Sequence, residues 1–263
     1  MASWLGQYCI NVSDLERTVK FYEALGLTCT SRTEIPQAFE AIMENADGKG
    51  GKIQLAQQKD HDGPIDFANA FWKLYISTND IDRLHKAALE FPGVEETRPP
   101  TQMPNSPMEV SFLTDRDGYV VELQHRHPWR DGDSTTLSWV GQYCVYVSDI
   151  EATQKFWETL GLTKTSEIDI PNIKECILEN PDQGGKIQLA QKLNDDSPIA
   201  MGTAMWKLYV WCDDAKALYE TATAAGYTSV VEPLLLERWD TTMAFVADPD
   251  GYQVELVSKG ASA

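Results

Sequence analysis

The sequence is short of several things, and each shortage closes a class of function. Cations are few: 22 Lys and Arg stand against 40 Asp and Glu, a formal net charge of −18. A chain so acidic repels phosphate backbones and anionic lipid, which argues against nucleic acid or a membrane surface as partner. No apolar run approaches the ~18 residues of a membrane span. The opening MASWLGQYC has no basic stretch ahead of an apolar one, so it does not read as a signal peptide. Cysteine is scattered: Cys9, Cys29, Cys144, Cys176 and Cys212, an odd number with no C-x-x-C. That pattern predicts reduced thiols in a cytoplasm rather than a disulfide framework. Histidine is scarcer still, with His61, His85, His125 and His127 all in the first half and none in the second. Phosphate-binding loops, dinucleotide fingerprints, nucleophile elbows and zinc-finger spacings are missing as well.

What the chain does have, it has twice. Residues 6–16 read GQYCINVSDLE and residues 141–151 read GQYCVYVSDIE. The repeat can be followed by its offset: 135 for Gln7 and Gln142, 134 for Gln54 and Gln188 and for Lys73 and Lys207, 133 for Glu122 and Glu255. So slow a drift means small insertions only, and the duplication covers nearly the whole chain. With 263 residues and 43% hydrophobic content, each half can bury its own core. Two domains are expected, 1–130 and 131–263, joined through the polar, turn-rich segment 127–138.

Each copy reads as β-α-β-β-β written twice, so the chain holds four such units and an α+β fold. In the first copy, strand 6–12 leads to a helix over about 14–25, with Leu15, Val19, Tyr22 and Leu25 at helical spacing and Gly26 at the C-terminal cap. Ser13 with Glu16, and Ser148 with Glu151, have the spacing of a capping box. Strands follow at 27–33, 38–44 and 51–57, the last after the turn DGKGGK. Strand 71–77 then leads to helix 80–90, and strands near 93–97, 109–114 and 119–125 complete the copy. DRDG in one copy and DPDG in the other mark a tight hairpin before the final strand.

Alternation along these strands sorts their residues onto two faces. Tyr8, Ile10, Val12, Ile53, Leu55, Leu74, Ile76, Tyr119, Val121 and Leu123 share the apolar parity that packs under the helices. The other parity carries Gln7, Gln54, Lys73 and Glu122, matched in the second copy by Gln142, Gln188, Lys207 and Glu255. A curved mixed sheet whose concave face lines a pocket would bring such residues together. The bland alternative is a solvated sheet face. Trp72 and Trp206, next to the lysines, are candidates for an aromatic lining. Arg238, in LLLERWDTT, has no counterpart in the first copy and is a candidate rim residue for an acidic group, or else a surface salt bridge. His125 and His127 read as surface residues beside the linker.

The stretches QYCINVSDLERTVKFYEALGL and DPDGYQVELV, set in paired β-α-β-β-β units, resemble the vicinal-oxygen-chelate superfamily, which holds glyoxalases, bleomycin-binding proteins and extradiol dioxygenases. The resemblance spans both halves and implies two glyoxalase-like modules. It also implies that metal ligands would fall on Gln7, Gln54, Lys73 and Glu122, and on Gln142, Gln188, Lys207 and Glu255. Here the chain departs from the pattern, with Gln and Lys where the family usually has His or Glu. A protonated Lys has no lone pair to donate, and the His/His/carboxylate set of an iron dioxygenase is missing. If a divalent metal binds, its ligands are Gln7, Gln54, Glu122, Gln142, Gln188 and Glu255; the expectation is that no tightly bound cofactor is needed. Lys73 and Lys207 would then hold an enolate oxygen, Glu122 and Glu255 would move a proton, and the glutamines would orient the substrate. This predicts a lyase or isomerase acting on a small oxygenated metabolite, working as a monomer or homodimer. The opposed reading is a non-catalytic protein that sequesters an aromatic compound.

Overall fold

The structure, a computed structural model, describes residues 2–46, 48, 50–126 and 138–260. His127, the segment 127–137 and two residues of the DGKGGK turn, Asp47 and Lys49, lie outside the described residues. Four β-α-β-β-β units follow one another. The first is β1 (Ser3–Asn11), α1 (Leu15–Ala24), β2 (Thr28–Glu34), β3 (Ala38–Glu44) and β4 (Lys52–Gln58). The second is β5 (Phe71–Thr78), α2 (Ile81–Leu89), β6 (Glu95–Gln102), β7 (Met108–Thr114) and β8 (Val120–Arg126). The third is β9 (Ser138–Tyr146), α3 (Ile150–Thr159), β10 (Thr163–Ile170), β11 (Ile173–Asn180) and β12 (Gln183–Lys192). The fourth is β13 (Met205–Cys212), α4 (Ala215–Ala224), β14 (Thr228–Leu236), a 3-10 turn at Glu237–Trp239, β15 (Thr241–Ala247) and β16 (Gln253–Lys259). The α+β class and the fourfold unit are as the sequence predicts.

The chain divides into two compact units. One comprises Met1–Cys9, Phe67–Phe71 and Cys144–Ala263; the other comprises Ile10–Asp66 and Trp72–Tyr143. In the first, β14, β15, β16 and β13 form a mixed sheet in that order, with β13 and β16 parallel. Leu5 pairs antiparallel with Gly185 of β12 in this same unit. In the second, β6, β7, β8 and β5 repeat the arrangement, with β5 and β8 parallel. The apolar parity is buried as expected: Tyr8, Ile53, Leu55, Ile76, Tyr119, Val121 and Leu123 are fully enclosed. Helix α1 turns Leu15, Val19 and Tyr22 inward and packs on β3 and β4.

Three of the helices end alike. Gly26, Gly161 and Gly226 take φ of +84°, +91° and +93°, and the next residue donates back five positions, as Leu27 N–H does to the Tyr22 carbonyl at 3.1 Å. The helix starts need a correction. The cap is Asp14, whose carboxylate accepts from Arg17 N–H at 3.1 Å, not Ser13. Counted from Asp14, Glu16 falls one place short of the capping-box position, and it pairs instead with Arg32. Ser13 is used elsewhere: its N–H donates to Asp117 at 3.0 Å and its hydroxyl donates to the other oxygen of the same carboxylate. Ser148 and Asp250 repeat this, with Asp149 as the cap. Strand β6 runs farther than the expected 93–97 and contains Pro99 and Pro100. Proline is tolerated there because β6 is an edge strand whose register slips on both sides of Arg98.

Candidate active site

Lys73 comes from β5 and Glu122 from β8, neighbouring parallel strands whose register sets Tyr75 beside Glu122. The Lys73 ammonium lies 2.8 Å from Glu122 Oε2, and both side chains are about nine-tenths buried, at 10% and 7% exposure. Lys207 and Glu255, from β13 and β16, repeat the pair at 2.8 Å, with 12% and 10% exposure. Both contacts are close, largely buried, charge-assisted ion pairs. Glu122 Oε1 accepts from Gln124 Nε2 at 3.0 Å.

Aromatic rings close around each ammonium. Lys73 Nζ is 4.3 Å from the Trp72 ring, 4.9 Å from Tyr75 and 5.4 Å from Phe112. Lys207 Nζ is 4.6 Å from Trp206, 4.8 Å from Tyr209 and 5.5 Å from Phe245. All six distances fall within cation–π range. Trp72 has the opposite strand parity to Lys73, yet its ring still reaches the ammonium. Tyr75, Phe112, Tyr209 and Phe245 are absent from the sequence-based site, although Tyr75 and Tyr209 were legible: each stands two residues past its lysine, on the same face.

The remaining expected residues are placed as follows. Gln54 and Gln188 are almost fully buried, on β4 and β12. Gln7 and Gln142 are half-buried on β1 and β9, Gln7 in the compact unit that holds Lys207 and Gln142 in the one that holds Lys73. Arg238 is exposed, with its guanidinium 5.0 Å from the ring of the neighbouring Trp239. His125 is half-buried on β8. Among the described residues, no group of three or more His, Cys, Asp or Glu side chains could hold a metal ion. The donor chemistry fits a divalent ion poorly: each carboxylate faces an ammonium, which has no lone pair to give and repels a second cation.

The carboxylate strand of each pair is entered through the hairpin turn foreseen in the sequence. Asp115 accepts from Asp117 N–H at 3.0 Å and Tyr119 N–H at 2.9 Å, and Asp248 does the same with Asp250 and Tyr252. Gly118 and Gly251 supply φ of +101° and +95°, which other residues rarely adopt. Burial pushes both aspartates up to about 7.

Two family profiles match the chain, over residues 4–123 and 141–235, and both describe the glyoxalase/bleomycin resistance protein/dioxygenase superfamily. The chain belongs to that superfamily. One match lies in each copy, so it is a two-module member. Among curated relatives, the lactoylglutathione lyase of Oryza sativa subsp. japonica is 25% identical, covering 94% of this chain and 86% of its own length. A lactoylglutathione lyase of Arabidopsis thaliana is also 25% identical, covering 94% and 88%. The crystal structure of glyoxalase I from Zea mays superposes with a TM-score of 0.84 at 22% identity, covering 98% of this chain and 92% of that one. The described residues therefore share the fold of that crystal structure over nearly their whole length. No helix among the described residues is long and apolar enough to cross a membrane.

Proposed function

We propose that the protein is a metal-independent lyase or isomerase, acting on a small oxygenated carbonyl compound through an enolate-like intermediate. Its superfamily relatives, lyases by name over nearly the same length, support an enzyme of this kind. The observation that carries the finer reading is the enclosed lysine–glutamate pair, present twice at 2.8 Å within three aromatic rings. A cation fixed in a largely buried aromatic setting stabilises negative charge as it develops on a carbonyl oxygen, which is the electrostatic service a Lewis acid would otherwise give. The carboxylate held beside it can take a proton from the adjacent carbon and return it once the substrate oxygen engages the ammonium. The same side chains thus polarise the carbonyl and move the proton. A cytoplasmic setting fits five cysteines of which none forms a disulfide.

Lactoylglutathione, the compound in the relatives' names, is the first substrate to assay. Lys73→Met, Lys207→Met and the double variant separate the two readings. Loss of turnover with ligand affinity kept supports the enzyme, whereas loss of affinity with no turnover in the parent chain leaves a binding protein. Elemental analysis of freshly purified chain tests the metal-free part: a stoichiometric divalent ion needed for turnover would overturn it.

A further inference from the structure

Sheet register shows what stands beside each pair. In one unit, Tyr75, Glu122, Phe112 and Arg98 are successive cross-strand partners on β5, β8, β7 and β6. In the other, Tyr209, Glu255, Phe245 and Val231 occupy the same places on β13, β16, β15 and β14. Three positions carry the same residue type; the fourth changes from a guanidinium to an isopropyl group. The next row on the same face diverges further. Where one sheet has Ser77 and Gln124, the other has Trp211 and Val257, and opposite Thr101 of the first stands Leu234 of the second.

The surroundings agree with the register. Gln124 holds the carboxylate of Glu122, whereas Val257 has no polar group to offer Glu255. Trp211 is half-buried and lies over residue 6 of β1, close enough that only glycine fits there: a Cβ on Gly6 would come within 2.1 Å of the indole. Val231 and Leu234 keep 37% and 51% of their surface exposed, on an edge strand continuous with the ion pair. Uncovered apolar surface joined to a buried charged group is the form of a small-molecule site. The edge strand stands two strand spacings, roughly 10 Å, from the carboxylate strand and three, roughly 14 Å, from the lysine strand, so the differing residues flank each pair on both sides along the sheet.

We propose that the two sites take substrates whose side groups have opposite polarity. The Lys207–Glu255 site receives an aromatic or branched aliphatic group against Trp211 and Leu234. The Lys73–Glu122 site receives an anionic or hydrogen-bonding group, met by Ser77, Gln124 and Arg98. This assignment rests on the proposed function only in placing the ligand's carbonyl at each lysine–glutamate pair.

Two probes share one reacting unit, a hydroxymethyl ketone, and differ only in the side group: 2-hydroxyacetophenone carries a phenyl and hydroxypyruvate a carboxylate. Calorimetric titration of the full chain should show both binding. Trp211→Ser should weaken 2-hydroxyacetophenone by about tenfold or more and leave hydroxypyruvate nearly unchanged, and Arg98→Val should do the reverse. Trp211→Phe, which keeps an aromatic wall, should retain the phenyl probe, and thermal melting confirms that each variant is folded. Failure of both probes to bind, or equal effects of the two substitutions on both, would overturn the assignment. Exchange of the hydroxymethyl protons into heavy water, followed by NMR, tests the underlying reading separately. Discrimination without exchange removes the catalytic role and keeps the polarity assignment; exchange without discrimination does the opposite.

Discussion

Around Lys73 the nearest ring is Trp72 at 4.3 Å, and around Lys207 it is Trp206 at 4.6 Å; the partner carboxylate is 2.8 Å away in both. Two residues beyond the tyrosine on each strand the likeness ends, with Ser77 in one region and Trp211 in the other. The difference follows from what each side chain is tied to. A member of the enclosed pair cannot change alone, because its loss strands a buried charge at a cost of about 3–5 kcal/mol. A side chain on the open end of the sheet face owes nothing to such a partner and can change with little effect on folding. Duplication therefore left the charged centre alike and let its surroundings diverge.

The largest effects should come from breaking the centre in one region at a time. Lys207→Met and Lys73→Met should each lower turnover at their own site by about 100-fold or more, the scale of losing one preorganised stabiliser of the reacting oxygen. Steady-state kinetics on the single variants and on the double variant checks this. If one single variant retains all the parent's turnover, catalysis belongs to the other region alone. Each should also melt lower than the parent, since an unpaired buried glutamate remains.

A smaller contrast concerns the glycines on the first strand of each copy. A Cβ on Gly6 would sit 2.1 Å from Trp211 Cδ1, whereas a Cβ on Gly141 would come no nearer than 3.0 Å, to the Ser77 hydroxyl, with Tyr75 Cβ and carbonyl oxygen at ordinary contact distances of 3.6 and 3.7 Å. Gly6→Ala should therefore cost about 1–3 kcal/mol of stability by overpacking, and Gly141→Ala less than about 1 kcal/mol. Denaturant unfolding measures both. Adding Trp211→Ser to Gly6→Ala should recover most of the loss, because the serine makes the second region resemble the first.

Much of this was legible in the sequence, because strand alternation is a strict period. It placed Lys73 and Glu122 on one face, and the duplication supplied the check by repeating them. Helix ends with glycine were equally plain. The capping serines misled because the next residue, Asp14 or Asp149, caps better, and that choice depends on Asp117 and Asp250, about a hundred positions away, engaging the serines. The rings of Phe112 and Phe245 could not be found from spacing, since cross-strand register brings them to the lysines. The proline-bearing edge of β6 was missed because proline argues against a strand unless the strand is known to lie at an edge.

The smallest expected difference between the two regions is in their response to pH, where they should behave alike. Asp115 and Asp248 are both raised to about 7 by burial, against an ordinary value near 4. Between those values the folded chain holds protons on these carboxyls that the unfolded chain releases. Their contribution to stability is therefore full below about pH 4 and is lost as pH rises through 7. The slope is at most about 1.4 kcal/mol per pH unit for each group. Asparagine at either position keeps an oxygen for the two backbone N–H groups but has no proton to lose. Asp115→Asn and Asp248→Asn should each flatten the fall in stability between pH 5 and pH 8 by a similar amount, and the double variant by their sum, as read from denaturant midpoints across that range. Unequal flattening would show that the two turns, alike in hydrogen bonding, differ in how far water reaches their carboxyls.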